Sequence, residues 1–171
     1  MKTLYLLRHG KSSWGNPDIE DFQRPLKKRG LAAAHLVGHF MHTANMRPDL
    51  VLCSPATRAH QTLSSFLVGF SCELEHKFDK ALYHATADVI VRQLCSVPKA
   101  INAIMVIGHN PGLQTLALRL TRNKGNKWRA LENKFPTAAL AILTCKQSDW
   151  SSLLPGSFKL QGFITPKTLI E

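Results

Sequence analysis

Thr3-Leu4-Tyr5-Leu6-Leu7-Arg8-His9-Gly10 sets a short, mostly apolar run directly against a guanidinium, an imidazole and a glycine. Five such residues without polar alternation read as a strand buried on both faces. The pattern returns at 50–53, where Leu-Val-Leu-Cys leads into Ser54-Pro55 and a helix starting near Ala56. It returns again at 103–107, which ends in Gly108-His109-Asn110-Pro111-Gly112 before a helix-like stretch through Leu120. Each of the three turns from strand to helix carries the polar residues.

Outward from these runs, 30–42 and 86–97 have helical patterning, and 138–144 and 158–164 read as late strands. The segment 72–77 is a further strand candidate, and 123–135 carries no decisive pattern. Apolar strands alternating with helices predict an α/β chain: a three-layer α/β/α sandwich around a mostly parallel sheet. The length of 171 residues suits one domain covering 1–171. In such a sheet, ligands bind at the C-terminal ends of the strands, where the three polar turns gather.

Composition narrows the function classes. Hydrophobic residues at 44% and charged ones at 19% describe a chain that folds. No apolar run approaches the roughly 20 residues that span a bilayer. Lys2, a four-residue apolar run and then Arg8 and His9 do not make a secretory signal, so the reading places the protein in the cytoplasm, away from membranes. Cys53, Cys72, Cys95 and Cys145 lack Cys-x-x-Cys spacing and read as reduced thiols, with Cys53 and Cys145 in buried strands. A formal charge of +11 attracts polyanions or acidic proteins at long range.

Three elements carry chemistry. Arg8-His9-Gly10 joins a group that grips two phosphate oxygens, a ring with a lone pair and a backbone that a ligand can approach. Alone, the tripeptide is more often a surface turn without function. Arg58 lies in the first turn of a helix, where a cation meets the partial positive charge of the helix end. Either it reaches into solvent, or it and the helix start face an anion together. His109 sits at a third strand end between glycines and a proline. Joint placement on one sheet edge favours the anion site over three unrelated turns.

Taken together these residues resemble the histidine phosphatase superfamily, which includes the phosphoglycerate mutases, and within it the short SixA-type phosphohistidine phosphatases. The likeness rests on Leu-Leu-Arg-His-Gly-Lys-Ser-Ser-Trp at 6–14, Asp21-Phe22-Gln23-Arg24-Pro25-Leu26 with Arg29-Gly30, Ser54-Pro55-Ala56-Thr57-Arg58-Ala59 with Gln61-Thr62, Ala81-Leu82-Tyr83-His84-Ala85, and Gly108-His109-Asn110-Pro111. It implies a phosphoglycerate mutase-like fold, His9 as nucleophile, and Arg8, Arg58 and His109 as a phosphate pocket, with Gly10 and Asn110 against the substrate. It further implies a covalent phosphohistidine intermediate and no cofactor or metal. The partner it implies is a phosphorylated protein, an acidic histidine-phosphotransfer domain among the candidates, or a small phosphorylated substrate. Two positions depart from the wider pattern, Lys11 where a Glu is common and Gly15 where an Asn is common.

Rival readings fare less well. A cysteine-dependent phosphatase needs five residues between Cys and Arg, whereas four separate Cys53 from Arg58. His35, His39 and His42 share a helical face, but Leu36, Val37, Phe40 and Met41 occupy the opposite one, so the histidines are expected in solvent and no metal site is assigned. Lys27-Lys28-Arg29 and the basic stretch 124–129 with Trp128 suggest nucleic acid, yet no recognition motif accompanies them. A small-molecule phosphomonoesterase and a non-catalytic binder of phosphorylated or polyanionic partners remain as alternatives. With only 11 carboxylates, none stands out as a general acid. Asp18, Glu20, Asp21 and Asp79 are the places to look. A leaving imidazole, whose conjugate acid has a pKa of about 6.5, needs that acid far less than an alkoxide does.

Overall fold

The computed structural model describes residues 1–122 and 125–171. Six strands, β1 (Lys2–Arg8), β2 (Leu50–Cys53), β3 (His76–Phe78), β4 (Ala103–Gly108), β5 (Leu140–Cys145) and β6 (Lys159–Ile164), form one sheet in the order β3-β2-β4-β1-β5-β6. The first four run parallel, and β5 and β6 pair antiparallel at one side. Between them lie α1 (Lys28–Thr43), α2 (Thr57–Phe70), α3 (Ala87–Cys95), α4 (Gly112–Leu120) and α5 (Asn126–Asn133), and α6 (Pro166–Ile170) follows β6. This is the expected mixed α/β architecture of the phosphoglycerate mutase type.

Strand alternation explains the layering. Leu4, Leu6, Leu52, Ile104 and Val106 face a core shared with Ile90 and Leu94 of α3, Leu113 and Leu116 of α4 and Leu131 of α5. Their neighbours Tyr5, Leu7, Val51, Met105 and Ile107 point the other way, onto Val37 and Met41 of α1 and Leu63 and Phe66 of α2. Both faces are covered, so the strands read as continuous apolar runs rather than alternating ones. The two helices of the second layer approach closely: a Cβ on Gly69 would stand 2.0 Å from the His35 carbonyl oxygen, and one on Gly38 would stand 2.1 Å from that of Phe66.

Differences from the expected elements have physical causes. β3 is only three residues long, begins at His76 and exposes all of them, because it is an edge strand held by backbone pairing with β2. The stretch 123–135 contains a helix, α5, which buries only Leu131 and is therefore weakly patterned. Its basic run begins at Lys124, which with Asn123 lies outside the described residues. Within that run Trp128 donates its indole N–H to Thr121 Oγ1 at 2.9 Å, packing inward instead of offering a stacking platform. His35, His39 and His42 are exposed, as expected, and among the described residues no group of three or more metal-ligating side chains comes together. No helix among the described residues is long and apolar enough to cross a membrane.

Candidate active site

β1 and β4 are neighbours in register, with Arg8 beside Gly108, so the residues after them emerge side by side. The His9 backbone N–H donates to the Gly108 carbonyl at 3.0 Å, extending that pairing to the site itself. His9 and His109 are both buried, with ring centroids 5.2 Å apart. Beside them β2 ends at Cys53, and Arg58, only 2% exposed, is the second residue of α2. The expected residues Arg8, His9, Gly10, Arg58 and His109 thus converge on one sheet edge. Asn110 joins them but turns its amide N–H toward Gln114 Oε1 at 3.2 Å and the Phe135 carbonyl at 3.4 Å.

A hydrogen bond assigns the His9 tautomer. His9 Nδ1 lies 2.7 Å from the Gly10 carbonyl, which can only accept, so the proton sits on Nδ1 and the lone pair on Nε2. Burial pushes the His9 pKa down to about 4; the charges of Arg58, Arg8 and Arg24 add to this, and the Gly10 hydrogen bond opposes it. The ring is neutral at pH 7. His109 Nε2 lies 2.7 Å from Ser54 Oγ, an oxygen that already accepts the Ala56 N–H at 3.3 Å. In the tautomer in which the Ser54 hydroxyl donates to Nε2, His109 carries Nδ1–H as a donor. Burial, followed by the charges of His9, Arg58 and His84, pushes this ring down to about 3, against an upward pull from Asp21. His109 is accordingly neutral at pH 7 and carries no fixed charge before an anion arrives.

Two buried N–H donors, Arg8 Nε and Arg58 Nε, and the buried His109 Nδ1 have no hydrogen-bond partner among the described residues. Buried donors of this kind are costly unless something accepts from them. The Arg8 guanidinium is anchored by Nη1 donating to the Phe135 carbonyl at 2.8 Å. Burial and the nearby charge of Arg58 both lower its pKa. Two like charges held together in a partly buried cleft call for an anion.

Arg58 is held by a residue that spacing alone could not place. Its Nη1 donates to the Asp21 carbonyl at 2.6 Å and its Nη2 to Asp21 Oδ2 at 3.1 Å. The same Oδ2 accepts the Tyr83 hydroxyl at 2.5 Å and lies 3.1 Å from His84 Nε2, while Oδ1 takes Arg24. Burial by itself raises the Asp21 pKa. Hydrogen bonds from Tyr83 and Arg58, the Arg58 charge and the Arg24 hydrogen bond outweigh it, holding the carboxyl well below the usual range. A carboxylate does reach the pocket, but it is ionised and bound on both oxygens. Asp79 is turned elsewhere, accepting the Ala81 N–H at 2.9 Å.

Several of these positions are absent from the sequence expectation. Arg24 is buried, donates to Ser12 Oγ at 2.8 Å and stacks 3.5 Å from the exposed Trp14 ring. Ser54 and Thr62 occur in the motif that carries Arg58, yet only the fold reveals their partners. Thr62 Oγ1 accepts the Gly10 N–H at 2.9 Å and donates to the Arg58 carbonyl at 2.6 Å, tying the loop after β1 to α2. Gly10 is required there, since a Cβ would stand 2.7 Å from the Gly30 carbonyl oxygen. Cys53, by contrast, is fully buried with its thiol pushed up by burial, which suits a core residue and not a nucleophile.

Comparison with known proteins identifies the family and the fold. The family model of the histidine phosphatase superfamily (branch 1) matches residues 4–84. The uncharacterized protein Rv1276c of Mycobacterium tuberculosis is 33% identical over 165 residues, covering 94% of this chain and 100% of its own. A structure from Agrobacterium tumefaciens that bears the name phosphohistidine phosphatase SixA is 28% identical, with a TM-score of 0.79 over 96% of this chain and 98% of that one. One of the same name from Nakamurella multipartitia, at 24% identity, shares the fold with a TM-score of 0.83 over 96% of each chain. Two histidines and two arginines at the ends of adjacent parallel strands, in a chain similar over nearly its whole length to such proteins, make it a SixA-type member of the histidine phosphatase superfamily.

Proposed function

We propose that this protein is a phosphatase in which His9 Nε2 takes the phosphoryl group, and that its substrate is a phosphohistidine on a protein. The observation that carries the reading is the neutral His9 ring, its proton committed to the Gly10 carbonyl, beside the buried, unpartnered nitrogens of Arg8, Arg58 and His109. Phosphoryl transfer through a loose transition state asks chiefly for an in-line nucleophile and preorganised donors around the equatorial oxygens. In the first step the bond between phosphorus and His9 Nε2 forms as the bond to the leaving nitrogen breaks. The leaving ring departs as neutral imidazole, its distal nitrogen carrying the proton. Water then attacks phosphorus, the His9 bond breaks, and inorganic phosphate is released. An incoming dianion raises the pKa of His109, so its N–H gains charge when the charge is useful. The guanidinium groups supply the positive charge, and the proposed reaction needs no metal.

The preference for phosphohistidine follows from Asp21. A carboxylate bonded by Arg58, Tyr83 and Arg24 holds no proton at neutral pH and cannot protonate an alkoxide. A nitrogen leaving group does not require it. The test is kcat/KM for a phosphohistidine protein and for an alkyl phosphate monoester, measured on one preparation with EDTA present. The phosphohistidine should be strongly preferred and EDTA should have no effect. Equal turnover of the alkyl ester, or loss of activity that zinc restores, would overturn the reading.

A further inference from the structure

Beside the phosphate pocket runs an open groove of about 820 Å³. Arg8 lines both, so the groove leads directly away from the place where a phosphoryl group would sit. Lys11, Arg29, Lys134 and Lys167 add four more cations from four separate parts of the chain, and no carboxylate lines it. Among the described residues, Lys11, Arg29 and Lys134 form no ion pair, and Lys167 meets only Glu171 at 4.0 Å. Lys11 stands where the wider superfamily pattern has an acid, so the charge reversal falls inside this groove.

The N-terminus of α1 points the same way. Lys27, Lys28 and Arg29 crowd its start with no acid in the first turn, against the partial positive charge of the helix end. Such an arrangement is unfavourable in the isolated chain and becomes favourable when anionic groups lie across it. The groove is not only charged. Ala32, Ala33, Leu36 and Pro136 form apolar parts of its wall, and Ile170, 78% exposed, stands at its margin. A small polyanion would leave those surfaces wet. Single-stranded nucleic acid would use aromatic rings for stacking, and no aromatic residue lines the groove.

We propose that this groove docks an acidic amphipathic helix of the phosphorylated protein substrate, its carboxylates on the lysines and Arg29 and its apolar side chains against Leu36 and Ile170. The proposal rests on His9 acting on a phosphohistidine protein and adds how that protein is selected. Charge complementarity of this kind governs encounter and register more than the chemical step.

Three probes decide it: free phosphohistidine, a helical peptide of Glu and Leu bearing one phosphohistidine, and the same peptide with Gln for Glu. The variant combines Arg29→Glu, Lys134→Glu and Lys167→Glu, all exposed positions outside the pocket, with the corresponding triple Gln variant as a second form. The wild type should turn over the Glu peptide with kcat/KM roughly tenfold or more above the Gln peptide at low salt, an advantage that added salt erodes. Both variants should lose that advantage through KM while processing free phosphohistidine at the wild-type rate. Equal use of the two peptides, or equal loss on peptide and free phosphohistidine, overturns the proposal. So does tighter binding of an RNA oligomer than of the Glu peptide. Failure of the wild type to hydrolyse any of the three phosphohistidine probes would instead overturn the functional reading. Fluorescence anisotropy of the unphosphorylated Glu peptide then decides the groove alone: weaker binding to the variants upholds it, and unchanged binding removes it.

Discussion

The imidazoles of His9 and His109 lie 5.2 Å apart, tilted by 53°, each at the end of one of two adjacent parallel strands. Burial holds both neutral, helped by the charge of Arg58 and, for His109, by that of His9, with pKa values of about 4 and about 3. In an NMR titration of nitrogen-labelled histidine, the His9 ring should keep its Nδ1–H tautomer down to about pH 5 and take up a proton only below that. A midpoint near 6.5 would contradict the assignment. The unfolded chain binds protons at these rings from about pH 6.5 downward and the folded one does not. Stability should therefore fall as pH is lowered below 6.5, visible as a lower urea midpoint at pH 5 than at pH 7.5.

His9→Ala should remove turnover to background while leaving the thermal transition cooperative, because no neighbouring nitrogen can take its in-line place. Radiolabel from a phosphorylated substrate should be acid-labile, base-stable and located on His9. Label on Cys53 or Ser54 would send the mechanism elsewhere.

Arg58→Ala and His109→Ala should each lower kcat/KM by about 10²-fold or more, the usual effect of losing one preorganised donor to a developing charge. Ser54→Ala should cost less, on the order of tenfold, since it removes only the hydroxyl that orients His109. A rate for Ser54→Ala as low as that for His109→Ala would give Ser54 a direct role.

Two glycines separate catalysis from stability. Gly69→Ala presses a methyl into the His35 carbonyl far from the pocket, whereas Gly10→Ala presses one into the Gly30 carbonyl beside His9. Each should destabilise by about 1–3 kcal/mol in urea unfolding. Only Gly10→Ala should also lower kcat of the folded enzyme, because it shifts the loop that Thr62 ties to α2.

The parts legible from sequence are those where local chemistry and global fold coincide. β1, β2 and β4 are buried on both faces, so their apolar runs stand out, and the polar turn after each is where a parallel sheet puts ligands. β3 was legible only in outline, because an exposed edge strand is held by backbone hydrogen bonds that any side chains permit. Asp21 belonged to a set of four carboxylates that sequence could not reduce. It lies in an irregular loop with a single 3-10 turn, Asp21–Gln23, and no periodicity tells such a loop where to fold back. The motif around Arg58 did carry a usable signal, since a cation in a helix's first turn calls for an anion. Part of the answer is Asp21 from within the chain. The groove was not legible because its cations come from the loop after β1, α1, the segment before β5 and α6, which only tertiary structure brings together.

The position of β1 has a consequence for how this protein is made. It sits inside the sheet between β4 and β5, which begin at Ala103 and Leu140. During synthesis the strand that delivers His9 emerges before either neighbour exists, and over a hundred amino acids must follow before it has an edge on both sides. Long-range pairing of this kind is slow, and an unpaired Leu4–Leu7 run is adhesive while it waits. Nascent chains halted before β4 therefore carry His9 without His109 or the strand ends that gather around it, and the pocket is assembled only with the C-terminal half of the molecule.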